Sequence, residues 1–390
     1  MNNFIYDIPT KVYFGKDMLK DNLGKELKKY GKRVLLTYGG GSIKKTGLYD
    51  KVVSEIKKAG LDLFELSGIE PNPRIESVRA GAEICKKEKI DVVLAVGGGS
   101  TLDCSKWICA GAKVDFDPWD FFSDKWASLS GALPLITVLT LAATGSEMDG
   151  GGVITNLSTR QKQGRVEHVL YPKVSFLDPT VTYSVGKFQT AAGAADMFNH
   201  ILETYFSREK GMYMLDTFME GMMRTIIKYA PIAIDDPENY EARANLMWTS
   251  SWAINGFVGM DKRKAWSCHP IEHELSAFYD ITHGLGLAII TPRWLEYCLN
   301  KDTLYKYVQY GVNVFGIDER KGDEKIARLA IEKTAEFMTG TLGLKGSLSE
   351  IGIGDENFEK MAEKACDGDV IDGFVPLRAD DIIKIFKACL

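Results

Sequence analysis

Histidine is scarce in this chain of 390 residues: there are five, His168, His200, His269, His273 and His283. Three fall within fifteen positions, in Cys268-His269-Pro270-Ile271-Glu272-His273 and Thr282-His283-Gly284. A fourth closes Ala195-Asp196-Met197-Phe198-Asn199-His200. Asp196 and His200 are four positions apart in a helical stretch, so both side chains leave one helix face, where a helix offers two ligands to one ion. A carboxylate joined by several imidazoles suits Fe2+ or Zn2+ and is too rich in nitrogen for Mg2+ or Ca2+. Asp-x-x-x-His alone is a weak motif, and most histidines in helical proteins hold nothing. The concentration of four of the five in two short segments is what points to a metal. Spacing does not choose between His269 and His273, which also stand four apart. His168 reads as a surface residue.

Two glycine turns suggest a second ligand. Gly39-Gly40-Gly41-Ser42 and Gly97-Gly98-Gly99-Ser100 each follow an apolar strand and open a helix. There, glycine lets the backbone approach a phosphate while the first amides of the helix face its charge. Such glycines also occur in tight turns that hold no ligand, and neither turn is the G-x-G-x-x-G fingerprint. Two turns together favour a phosphate-bearing cofactor.

The elements that must position these residues come in two halves. Val34–Tyr38, Leu61–Leu66, Asp91–Val96 and Pro134–Val138 read as strands, alternating with helical patterns over residues 44–60 and 75–89. Continuous apolar strands between helices predict a parallel sheet covered on both faces. From about Ser184 the periodicity is helical, as over residues 212–229, 240–254, 285–299 and 324–339, with breaks near Gly211, Pro231, Pro237, Pro270 and Pro292. The expected architecture is α/β: a parallel-sheet dinucleotide-binding domain over 1–182, then an all-helical metal-binding domain over 183–390.

At this level the sequence resembles the iron-containing (type III) alcohol dehydrogenases, and within them the bacterial butanol dehydrogenases. The resemblance runs from Pro9 to the C-terminus. It rests on Tyr13-Phe14-Gly15, the turn Gly97–Ser100 with Asp103, Thr144-Gly145-Ser146-Glu147, Leu177-Asp178-Pro179, Asp196 with His200, His269 with His273, and His283-Gly284. It implies Asp196, His200, His269 and His283 as metal ligands. It places His273 beside the nicotinamide as a proton carrier, and has Gly97, Gly98, Gly99 and Ser100 cradling the pyrophosphate with Asp103 close by. Thr140, Thr144 and Lys162 would line the cofactor cleft. The implied reaction is hydride transfer between NAD(H) or NADP(H) and a small primary alcohol or aldehyde, with Fe2+, or Zn2+ in its place.

Two departures stand out. No carboxylate in Gly39, Gly40, Gly41 and Ser42 would repel a ribose 2′-phosphate; Ser42 can donate to one, and Lys44 and Lys45 stand near. NADP(H) is therefore expected to be accepted. Gly150-Gly151-Gly152 stands where bulkier side chains would be usual, either widening the substrate side of the cleft or marking a bulge. The rival reading is a dehydroquinate synthase-type lyase, which uses NAD and a metal. Its anionic substrate needs converging basic residues, and only Lys262, Arg263 and Lys264 stand upstream of the histidines.

Composition limits the remaining classes. Apolar residues make up 45% and charged residues 26%, with a net charge of −5 and no basic patch interleaved with aromatics, which argues against nucleic acid. No apolar run reaches bilayer length, and Met1–Asp7 lacks a signal-peptide pattern, so no membrane association and a cytoplasmic location are expected. The seven cysteines, 85, 104, 109, 268, 298, 366 and 389, include no C-x-x-C pair, which argues against disulfides and a thiolate zinc site. A homodimer is the expected assembly.

Overall fold

The computed structural model describes residues 4–123, 127–260 and 266–390. Asn2, Asn3 and the basic triplet Lys262–Lys264 lie outside the described residues. Among the described residues there are eight strands: β1 Lys11–Phe14, β2 Arg33–Tyr38, β3 Asp62–Leu66, β4 Val92–Gly97, β5 Leu135–Leu139, β6 Gly151–Asn156, β7 Gln161–Val166 and β8 Val174–Leu177. Between them run α1 Leu23–Lys28, α2 Ser42–Lys45, α3 Leu48–Lys58, α4 Ile75–Lys87 and α5 Gly99–Gly111. Beyond β8 the chain is helical: α6 Lys187–Tyr205, α7 Tyr213–Asp235, α8 Tyr240–Ile254, α9 Cys268–Tyr279, α10 His283–Cys298, α11 Leu304–Phe315, α12 Asp323–Glu336, α13 Phe358–Ala365 and α14 Ala379–Ala388. Two compact units result, one of residues 7–185 and 237–255, the other of residues 1–6, 186–236 and 256–390. Helix α8, expected with the helical half, belongs to the sheet unit.

The sheet unit is built on six parallel strands in the order β1-β8-β5-β4-β2-β3. Its alternating residues separate into two cores. Val34, Leu36, Val92, Leu94, Ile136 and Phe176 pack with Val52 and Ile56 of α3, while Leu35, Val93, Ala95, Leu135 and Leu177 pack with Trp107 and Ile108 of α5. Burial on both faces is why these strands read as unbroken apolar runs instead of an alternation. From β2 the chain turns outward to β3, then returns to place β4 on the other side of β2. The topological switch therefore falls between β2 and β4, the two strands that lead into the glycine turns.

Several local expectations are corrected. The helix expected over 44–60 is two, because Gly47 takes a left-handed φ of 75° between α2 and α3. Strands β1 and β8 and the antiparallel hairpin β6–β7 have no counterpart in the sequence reading. Gly151 and Gly152 pair in regular register with Val166 and Arg165, so they mark no bulge. Their smallness serves packing: a Cβ on Gly152 would lie 2.7 Å from Trp107 Nε1, and one on Gly150 would lie 2.8 Å from the Tyr171 ring.

The helical unit also runs through two expected breaks. Pro231 and Pro292 lie inside α7 and α10. Each removes one backbone N–H from its helix; Thr291, beside Pro292, sends its hydroxyl back to Leu287 O at 2.7 Å. Pro270 sits in the first turn of α9, where a missing N–H has no helical partner to lose. No helix among the described residues is long and apolar enough to cross a membrane.

Candidate metal centre

Helix α6 is buried at every position from Thr190 to Tyr205. A polar stripe, Asp196, Asn199, His200 and Glu203, runs along it at helical spacing. Its first half, Ala191-Ala192-Gly193-Ala194-Ala195, carries almost no side-chain bulk, so another backbone can come close. Helix α10 does so: a Cβ on Gly284 would lie 2.0 Å from Ala192 O. That approach sets His283, the first residue of α10, opposite Asp196. His269 enters from the first turn of α9.

The side chains converge on one atom. Asp196 Oδ1 lies 3.4 Å from His200 Nε2 and 3.7 Å from both His269 Nε2 and His283 Nε2. Asp196 Oδ1 and His269 Nε2 are buried and have no hydrogen-bond partner. Leaving such atoms unsatisfied is costly, and an ion among one carboxylate oxygen and three imidazole nitrogens would satisfy them together. The donor set fits iron or zinc.

Two carboxylates that the sequence reading missed fix the rings. His269 Nδ1 lies 2.5 Å from Glu203 Oε1, whose other oxygen takes the backbone amides of Ser267 and Cys268 at 2.5 and 2.7 Å. His283 Nδ1 is held closely by Glu272 Oε2. An N–H given to each carboxylate leaves Nε2 as the ring atom that can accept an ion. The polar stripe on an otherwise apolar α6 could have revealed Glu203; for Glu272, adjacency to His273 is a slight signal.

The electrostatics follow from this crowding. Burial works against ionised Asp196, but the surrounding imidazoles outweigh it and hold the carboxyl well below its usual range. Burial takes His200 down to about 3 despite Asp196, so the ring is neutral at pH 7. At His269 burial opposes protonation, yet Glu203 and Asp196 prevail and raise it to about 9. The site thus favours a positive charge between its carboxylates, the charge an ion would supply. Glu272, His273 and His283 also bring atoms within 4.8 Å of one another, but Glu272 is engaged with His283. His273 lies beside the cluster, its ring 6.3 Å from that of His269 and 5.6 Å from that of His283. His168 is 63% exposed and pairs with Asp7 at 3.0 Å.

In the sheet unit, Gly97–Ser100 forms the corner from β4 into α5. Its glycines are required by neighbours: a Cβ on Gly97 would lie 2.4 Å from Thr101 Oγ1, and one on Gly99 would lie 2.4 Å from Thr144. Thr140 N donates to Gly97 O at 3.0 Å, so Thr140 and Thr144 gather at this corner. Gly39–Ser42 forms the neighbouring corner from β2 into α2, with Gly41 at a φ of 100°. Asp103 turns inward, accepting from Ser146 Oγ at 2.6 Å and Val153 N at 2.9 Å. Burial raises its carboxyl to about 6 against the pull of Lys106. Lys162 is buried in β7 opposite Thr155.

Comparison with known proteins agrees with both halves. Residues 9–179 match the family model described as iron-containing alcohol dehydrogenase, and residues 190–390 match that of the Fe-containing alcohol dehydrogenase family, C-terminal. The chain is 52% identical over 389 residues to NADH-dependent butanol dehydrogenase A of Clostridium acetobutylicum, covering 99% of each. It is 38% identical to the NADPH-dependent aldehyde reductase YqhD of Escherichia coli, covering 93% of each. The crystal structure of NADH-dependent butanol dehydrogenase A from Thermotoga maritima superposes with a TM-score of 0.95 at 40% identity, covering all of this chain and 99% of that one. With both family models matched, a relative 52% identical over 99% of each chain and a donor set suited to iron, this chain belongs to the iron-containing alcohol dehydrogenase family.

Proposed function

We propose that the chain is a metal-dependent alcohol/aldehyde oxidoreductase that passes a hydride between NAD(P)(H) and a small primary alcohol or aldehyde. Asp196, His200, His269 and His283 hold one divalent ion, Fe2+, or Zn2+ in its place. The observation that carries this reading is the convergence of three Nε2 atoms on one unpartnered, buried carboxylate oxygen. When bound, the ion supplies Lewis-acid polarisation of the substrate oxygen. The chain's residues do the rest. Asp196 keeps the charge of the site anionic, Glu203 and Glu272 keep the rings turned, and His273 carries the proton that must leave the alcohol or reach the alkoxide oxygen. Gly97–Ser100 takes the pyrophosphate at the head of α5, a helix of 13 residues whose opening amides suit an anion. Thr140 and Thr144 shape that corner. In this reading Asp103 and Lys162 support the cofactor region from within the fold.

The turn Gly39–Ser42 bears on the choice of dinucleotide. Glu65, on the adjoining strand β3, has both oxygens taken, by Tyr38 and Tyr49 hydroxyls at 2.8 Å each. Lys44 stands 5.1 and 4.8 Å over those two rings. An engaged carboxylate and a nearby ammonium support acceptance of NADP(H), while the relatives named NADH-dependent support use of NADH. The lyase reading is not favoured, since the matched families and the relatives above are alcohol dehydrogenases and an aldehyde reductase. All seven cysteines are free and buried, which suits a cytoplasmic setting, and a homodimer completes the proposal.

The test is to strip the protein with a chelator, restore Fe2+ or Zn2+ separately, and follow oxidation of NADH and NADPH with butyraldehyde. Activity should return with Fe2+. No turnover with either cofactor in the reloaded protein would overturn the proposal. A strong preference for NADH would refute only the reading of Gly39–Ser42.

A further inference from the structure

Glu272 is fully buried one residue before His273, and its carboxylate has a division of labour. Oε2 takes the Nδ1 side of His283, and Oε1 accepts from Ser276 Oγ at 2.5 Å, one turn further along α9. Room for this carboxylate is made by α10. A Cβ on Gly286 would lie 2.7 Å from Glu272 Cγ and 2.8 Å from its Oε1. The two glycines that flank Leu285 thus have separate tasks: Gly284 brings α10 against α6, and Gly286 admits the carboxylate that turns the His283 ring.

Glu203 plays the matching part for His269, but it also takes two backbone amides at the start of α9. Its loss would disturb the helix as well as the ring. The bonds of Glu272 given above are to side chains, and Gly286→Ala offers a way to disturb the carboxylate without removing it.

We infer that Glu272 is a positioning residue that fixes which nitrogen of His283 faces Asp196 and thereby sets how tightly the centre holds its divalent ion. The inference rests on the metal site proposed above. An anion accepting from Nδ1–H makes Nε2 a stronger donor and removes the competing ring orientation. Partners of this kind typically change metal affinity by about 10–100-fold.

The experiment uses full-length parent, Glu272→Gln and Gly286→Ala proteins, stripped and then titrated with Co2+ against a competing chelator, with the visible spectrum of each Co2+ complex recorded. Glutamine keeps the shape of the side chain and removes its charge. Gly286→Ala leaves Glu272 in place but crowds it, and it decides the matter if Glu272→Gln does not fold. The expected result is a parent that binds Co2+ and two variants that bind about 10–100-fold more weakly with a shifted ligand-field spectrum. A parent that takes up no divalent ion overturns the metal site itself. A parent that binds, with variants within about twofold of it, overturns the role of Glu272 alone. Weaker binding with an unchanged spectrum also overturns it, since a purely structural residue would leave the ligand field of the bound ion untouched.

Discussion

At the residue scale the histidines differ by what their other nitrogen touches. His269 and His283 each give one ring nitrogen to a buried glutamate and turn the other toward Asp196. His273, one turn beyond His269 on α9, is part-buried beside them, as His283 also is. A group that carries a proton must reach both the reacting oxygen and water, and part-burial next to the centre meets that condition. His273→Ala should therefore lower kcat by about 100-fold or more, in the range of lost general acid–base catalysis, while the metal content of the purified protein stays at the parent level. Rates are to be compared across about pH 6 to 9. A variant matching the parent throughout would remove His273 from proton transfer, and a variant lacking metal would make it a ligand.

At the element scale, docking depends on small residues and on one unusual carboxyl. Glu147, in the short turn Ser146–Met148, is fully buried and accepts from Ser251 of α8. Beside it, a Cβ on Gly145 would lie 2.5 Å from Ser250 O, so α8 lies directly on this turn. Burial raises the Glu147 carboxyl to about 7, against the hydrogen bond from Ser251. A carboxyl raised in the folded state stays protonated where the unfolded chain has already released the proton. Its contribution is full below about pH 4.5 and is lost as pH rises through about 7. The slope approaches about 1.4 kcal/mol per pH unit for one such group. Glu147→Gln should flatten the decline in urea midpoint between about pH 5 and 7 relative to the parent, while keeping the Ser251 bond. Equal slopes in the two proteins would mean that Glu147 is ionised in the fold. These same elements mark what the sequence can disclose. Strands β2, β4 and β5 are legible because each is a mostly apolar, β-branched run, and the pair Asp196 and His200 because helical spacing is local. Strands β1 and β8 are four residues each, too short for a periodicity to register. Glu203 leaves a local trace in the polar stripe of α6, but its pairing with His269, and that of Glu272 with His283, arises only when α6, α9 and α10 meet, a long-range event no local spacing encodes. The triple glycine at 150–152 misled because its reason, the Trp107 and Tyr171 rings, lies far away in sequence.

At the scale of the whole molecule, the candidate sites are divided between the units. The four candidate ligands and the two glutamates that turn the rings all belong to the helical unit, and both glycine turns belong to the sheet unit. A ligand stabilises the folded form of what it binds by mass action, about 2.7 kcal/mol at a free concentration of 100 Kd. The divalent ion should therefore act on the unfolding of the helical unit. NADH or NADPH should act on that of the sheet unit. Calorimetry of the stripped protein, with each ligand added separately, checks this. The expected outcome is two resolvable transitions, one raised by the ion and the other by the dinucleotide. Hydrogen exchange gives an independent reading: the ion should protect amides of α6, α9 and α10, while the dinucleotide should protect those opening α2 and α5. An ion that protects both sets equally would show that the units unfold as one cooperative body. In that case the centre's stability would be a property of the entire chain, and removing the metal would loosen the dinucleotide corner as much as the helices that hold the ligands.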